Sequence, residues 1–125
     1  MGLFDGIMGV ASEMTLEEVQ EKIGVFLCEC EKIHRGYQLT RDFFVFTNKR
    51  VIIIDVQGMT GKREEYHSIP YKSISHYAIS TAGSLDTDAE LKIYIGSARD
   101  PLIKQFNKKL DIHEVEKILS EYIIG

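Results

Sequence analysis

Apolar positions recur at helical spacing at both ends of the chain and alternate through the middle. Leu3, Ile7, Val10 and Met14 lie three to four residues apart, with Phe4, Met8 and Ala11 beside them, as on one stripe of a helix. Gly2, Gly6 and Gly9 each weaken an isolated helix by roughly 1 kcal/mol. Residues 1–14 are therefore expected to be an apolar helical segment that forms only against a partner, with Leu3, Phe4, Ile7 and Met8 as its contact residues. Docking on a protein surface fits it better than membrane insertion, because interfacial helices carry Lys or Arg and this stretch carries only Asp5 and Glu13. Thr15-Leu16-Glu17-Glu18 then reads as a capping box, with Met14 and Val19 at the two hydrophobic-staple positions. Leu16, Val19, Ile23, Phe26 and Leu27 make the apolar face of the helix it opens, and Gly24 weakens the last turn.

From Ile33 the period falls to two. Strands are expected over 33–40, 43–47, 50–56, 62–69, 74–80, 88–95 and 101–106. Asn48-Lys49 is a two-residue hairpin turn, the glycines of 57–61 suit another, and Pro70 stops a strand. In 88–95, Ala89, Leu91, Ile93 and Ile95 should face inward and Asp88, Glu90, Lys92 and Tyr94 outward. Asp111 is a good N-cap for a closing helix whose apolar face is Ile112, Val115, Ile118, Leu119 and Tyr122. Seven strands at this spacing predict a mainly β, α+β chain: a sandwich or barrel whose open end the last helix plugs.

The 125 residues suffice for one domain with its own core, and 44% apolar with 27% charged residues is an ordinary globular mixture. Apolar runs stop at strand length, as in Val51–Ile54, far short of the ~20 residues of a spanning helix. A net charge of −4 disfavours nucleic acid as a partner. The charge is uneven. Residues 1–31 hold seven acids and one base, and residues 32–72 hold eight bases and four acids. Such asymmetry favours contact between the two regions, within a chain or between chains, unless it reflects two solvated faces. The start has no basic region ahead of an apolar one, and Gly6 stands where a myristoylation signal needs Ser or Thr. A cytoplasmic location is expected, and two cysteines, Cys28 and Cys30, make neither a disulfide framework nor a four-ligand zinc site.

Candidate chemistry is sparse. Asp86, Asp88 and Glu90 alternate along one strand and line up three carboxylates, but Leu91 and Ser97 stand where an EF-hand needs Gly and Glu. Solvated or interface carboxylates, partly neutralised by Lys92, are the expectation. His34, His67, His76 and His113 have no metal-ligand spacing, and no nucleophile elbow, Walker loop or metalloprotease pattern occurs. No catalytic residue, cofactor or metal is expected.

Several stretches carry a resemblance: Arg41-Asp42, Phe46–Arg50, Gly58–Lys62, Ile69–Ile74 and Ala82–Ile93. Together they resemble the bacterial PH-like (pleckstrin homology-like) domain family, over about residues 15–124. The resemblance implies a PH-like seven-stranded antiparallel barrel with a C-terminal capping helix, occupying 15–125 after the segment 1–14. It also implies no assigned activity, cyclic rings of about five subunits, and a polar surface between protomers that binds another protein. Candidates for that surface are Asp42, Asn48, Arg50, Tyr71, Thr81, Asp86, Asp88, Glu90 and Lys92. Arg50 is weighed equally as a cross-strand partner of Asp42 or of the carboxylates near Asp86, and Tyr71 as a corner residue tying its turn. The loop 38–42 holds one Arg beside an Asp, not the basic pocket with which PH domains grip phosphoinositides. A peripheral membrane module anchored by the N-terminal segment is the alternative reading.

Overall fold

The computed structural model describes residues 11–39, 42–58, 62–81 and 88–125. The chain divides into two compact units, Met1–Ile69 and Pro70–Gly125.

The first unit holds a five-stranded sheet in sequence order: β1 (Ser12–Met14), β2 (Ile33–Gln38), β3 (Phe43–Thr47), β4 (Arg50–Gln57) and β5 (Arg63–Pro70). Strands β3 and β4 pair antiparallel, with Phe43 opposite Ile54 and Phe46 opposite Val51. Their sequences are continuous apolar runs, as expected for strands covered on both faces, and every residue of Phe43–Phe46 and Val51–Ile54 is buried. On one face Phe43, Val45, Ile52, Ile54 and Val56 form a core with Met14, Val19 and Ile23. Val19 and Ile23 come from helix α1 (Leu16–Ile23), and each contributes roughly 1.5–3 kcal/mol by leaving water.

The capping box of α1 forms as expected: Thr15 Oγ1 accepts from Glu18 N–H at 3.1 Å, and Glu18 Oε1 accepts from Thr15 N–H at 2.9 Å. Two features differ from expectation. The helical face narrows to Val19 and Ile23, and Leu16 and Phe26 are left 58% and 52% exposed. The helix stops at Ile23, and Gly24–Phe26 tighten into a 3₁₀ turn that rotates Phe26 out of the stripe. Residues 12–14 are also strand, not helix: they pair antiparallel with β2, Met14 opposite Gly36. That pairing satisfies the backbone edge of β2 and seats Met14 in the core, which outweighs a weak, glycine-rich helical preference. Leu3, Phe4, Ile7 and Met8 lie outside the described residues.

The second unit holds a three-stranded antiparallel sheet, β6 (Ile74–Thr81), β7 (Ala89–Ile95) and β8 (Leu102–Phe106), entered through a 3₁₀ turn at Tyr71–Ser73. Helix α2 (Ile112–Leu119) follows, capped by Asp111, whose carboxylate accepts from His113 N–H and Glu114 N–H. A π-helical turn at Ser120–Ile124 ends the chain. Val115, Ile118 and Leu119 of α2 are buried, as are Ala89, Leu91 and Ile93 of β7. Eight strands are thus present among the described residues; seven match those expected, and β1 is the addition.

Candidate functional site

The tip of the β3–β4 hairpin organises a densely bonded polar cluster in the first unit. Thr47 Oγ1 accepts from the backbone N–H of Lys49 and of Arg50, each at 3.0 Å, which closes the turn. Asn48 reaches across to the segment before β2. Its Oδ1 accepts from Lys32 N–H at 2.7 Å, and its own N–H donates to the Lys32 carbonyl at 2.9 Å. This clamp holds Glu31 under the hairpin with a side chain that is 0% exposed.

Arg50 meets that carboxylate as a fork: Nε donates to Oε2 and a terminal nitrogen to Oε1, both at 2.8 Å. Thr47 donates to Oε2 at 2.6 Å, and the Cys28 N–H and thiol both approach Oε1. Burial is the largest influence on the Glu31 carboxyl and pushes it up. The hydrogen bonds from Arg50, Thr47 and Cys28 together outweigh it and hold the group at about 2. The same contact with Glu31 raises Arg50. Arg50 also donates to Ser68 on β5 and to the Phe26 carbonyl in the 3₁₀ turn. It therefore ties three separate segments together. Its partner is Glu31, not Asp42, whose Oδ1 instead accepts from Val56 N–H at 3.2 Å.

In the second unit, alternation on β7 puts Glu90 and Lys92 on one face, 4.0 Å apart. Glu90 lies opposite Ser80 on β6 and Gln105 on β8, and Lys92 opposite Ala78 and Ile103. His76 and Tyr94, a further step along the same face, stack at 4.1 Å. Asp88 precedes the strand and accepts from Lys108 N–H at 2.9 Å. Thr81 is exposed at the end of β6, opposite Ala89 and so on the alternate face. Tyr71 is buried and stacks on Tyr122 at 4.6 Å. Asp86 lies outside the described residues. The candidates thus fall into a hairpin group (Asp42, Asn48, Arg50) and a sheet-face group led by Glu90 and Lys92.

Between β6 and the end of α2, Tyr77 Oη, Glu116 Oε2 and Ser120 Oγ form a triangle with sides of 3.0–3.1 Å. Burial foremost, then the Glu116 carboxylate, raises the Tyr77 hydroxyl against the opposing Ser120 bond. A groove of about 440 Å³ opens beside it. The sequence singled out neither this triangle nor Glu31, because Tyr77 meets Glu116 and Arg50 meets Glu31 only across long separations in the chain.

Two acids of residues 1–31 meet bases of residues 32–72 inside the first unit, and one pair runs the other way. Glu13 pairs with Arg35, Glu31 with Arg50, and Lys22 with Glu64. The two exposed pairs contribute no more than ~1 kcal/mol each. No helix among the described residues is long and apolar enough to cross a membrane.

The profile of the family described as Bacterial PH domain matches residues 2–123. The chain is 47% identical over 121 residues to the uncharacterized protein YjqA of Bacillus subtilis, covering 96% of this chain and 97% of that one. It is 35% identical to the uncharacterized protein YozO of the same organism, covering 82% and 88%. Among solved structures it resembles a DUF1696 family protein with a pleckstrin-homology domain from Shewanella loihica, with TM-score 0.82, 43% identity and coverage of 92% and 98%. A pleckstrin homology domain from Shewanella amazonensis gives TM-score 0.80 at 43% identity, covering 99% and 100%. These likenesses establish the PH-like fold.

Proposed function

This chain belongs to the bacterial PH domain family, and on that premise we propose that it is a non-enzymatic binding module that self-assembles into a cyclic ring and presents a polar surface to another protein. Fold alone does not fix function. The observation that carries the reading is the outward face of the second sheet. There Glu90, Lys92, Ser80 and Gln105 stand in register as a polar, solvent-facing array with Ile103, 48% exposed, at its side. Glu90 and Lys92 are the contact residues of that surface. Asn48 and Arg50 instead brace the β3–β4 hairpin of the first unit, because their polar atoms are engaged there.

A head-to-tail contact closes into a ring when its rotation permits, and a ring multiplies one weak site into a multivalent one. Leu16, Val25 and Phe26, exposed at 58%, 89% and 52%, supply apolar area for subunit contact, in addition to the candidates Leu3, Phe4, Ile7 and Met8 of the sequence.

Light scattering on the full chain and on a chain beginning at Ala11 tests the assembly. Ala11 is the right start, because Ala11 and Met14 are buried and a later start would strip β1 from its sheet. The expected result is a defined multimer, near five times the 14.3 kDa chain mass, that dissociates on truncation. A monomer in both overturns the ring. Flotation of the full chain with anionic vesicles, absent in the truncated one, would then support membrane anchoring instead.

A further inference from the structure

We propose that Asp55, Glu65 and His67, on β4 and β5 of the first sheet, form a binding site for a divalent transition-metal ion of the Zn²⁺ type. Strand alternation puts Asp55 with Gln57, and Glu65 with His67, on matching faces of two neighbouring strands. His67 Nε2 lies 3.2 Å from Asp55 Oδ2 and 3.5 Å from Glu65 Oε1, and one ligand atom of each residue lies within 4.8 Å of the other two.

The spacing matches what an ion requires. A tetrahedral ion with bonds of about 2.0–2.1 Å holds neighbouring ligand atoms about 3.3–3.4 Å apart. Two of the three edges already have that length to within about 0.2 Å. The donor set fits as well: imidazole nitrogen suits Zn²⁺ and its neighbours in the transition series, whereas Ca²⁺ and Mg²⁺ take oxygen. Two carboxylates balance the charge of a divalent ion. Gln57 Nε2 donates to Glu65 Oε1 at 3.0 Å, a supporting bond of the kind that orients a ligating carboxylate. The side chains of Asp55, Glu65 and His67 are 24%, 58% and 36% exposed, which gives an ion a path in and leaves its fourth position to water. The inference rests on the first unit alone and is independent of ring assembly.

The competing description is a histidine lying between two carboxylates with no metal. Titration of the full chain with ZnCl₂ by calorimetry, and with Co²⁺ by visible absorption, separates the two. The expected result is saturable uptake of one ion per chain, with shifted His67 ring resonances in the NMR spectrum. Uptake should persist when the exposed thiols are removed by Cys28→Ser with Cys30→Ser. His67→Gln and Asp55→Asn should each weaken it by about 10-fold or more. Absence of saturable uptake overturns the proposal. So does uptake that vanishes with the cysteines, or that leaves the His67 resonances unmoved. The resonance test is made on the unaltered chain, so it stands even if a variant fails to fold.

Discussion

Arg50 spends four of its five N–H groups inside its own unit: two on Glu31, one on Ser68 and one on the Phe26 carbonyl. Removing it leaves a buried carboxylate without its counter-charge, held only by the Thr47 and Cys28 donors. Arg50→Ala is therefore expected to cost roughly 3–5 kcal/mol in urea unfolding, as does breaking a buried pair by taking one partner. Arg50→Lys restores little, because an ammonium cannot reproduce the fork. The pH dependence has a definite sign. Glu31 stays ionised in the folded chain down to about 2, against an ordinary value of 4.5, so the unfolded chain takes up the proton first. Its contribution is intact above about pH 4.5 and is lost between about 4.5 and 2, a change on the order of 3 kcal/mol. Glu31→Gln should remove most of that slope in denaturation curves measured across the interval. Asn48 and the importance of Arg50 were legible in the sequence, because turn chemistry is local. The partner was not, since Glu31 lies 19 residues upstream and only the folded hairpin brings it under the guanidinium.

At the scale of elements, α1 sits on β2 because Gly36 leaves it room. A Cβ at Gly36 would run into the Val19 Cγ2 methyl. Gly36→Ala is expected to destabilise the fold by roughly 1–3 kcal/mol through overpacking. Val19→Ala in the same chain should recover part of the loss, and two costs that simply add would sink the explanation. The main strands were readable from period and turn residues: 43–47 matches β3 in full, and β4 differs from its expected span by one residue. β1 was not readable. It is three residues long, and its one buried side chain, Met14, follows the buried Ala11 by three positions, a spacing shared with a helix. Hydrogen bonding to the edge of β2, a tertiary fact, decides between the two.

For the molecule as a whole, the family was legible because several separate motifs stood in order along the chain. Assembly is a property of surfaces and rotations that no periodicity encodes. If the ring forms, its melting temperature rises with protein concentration, because mass action favours the assembled native state; a constant melting temperature across a hundredfold dilution series speaks against it. The corner where Tyr71 stacks on Tyr122 has a use of its own. The chain contains no tryptophan and only six tyrosines. Two of these lie nearly parallel, 11° apart, in the second unit, while Tyr66 packs against Phe26 in the first. Rings held so closely in a fixed chiral setting shape the near-ultraviolet dichroism, the signal that disappears when specific packing is lost. Each unit thus carries its own optical reporter, and tyrosine-to-phenylalanine changes at 66 and 122 would show whether the two melt in one step or in sequence.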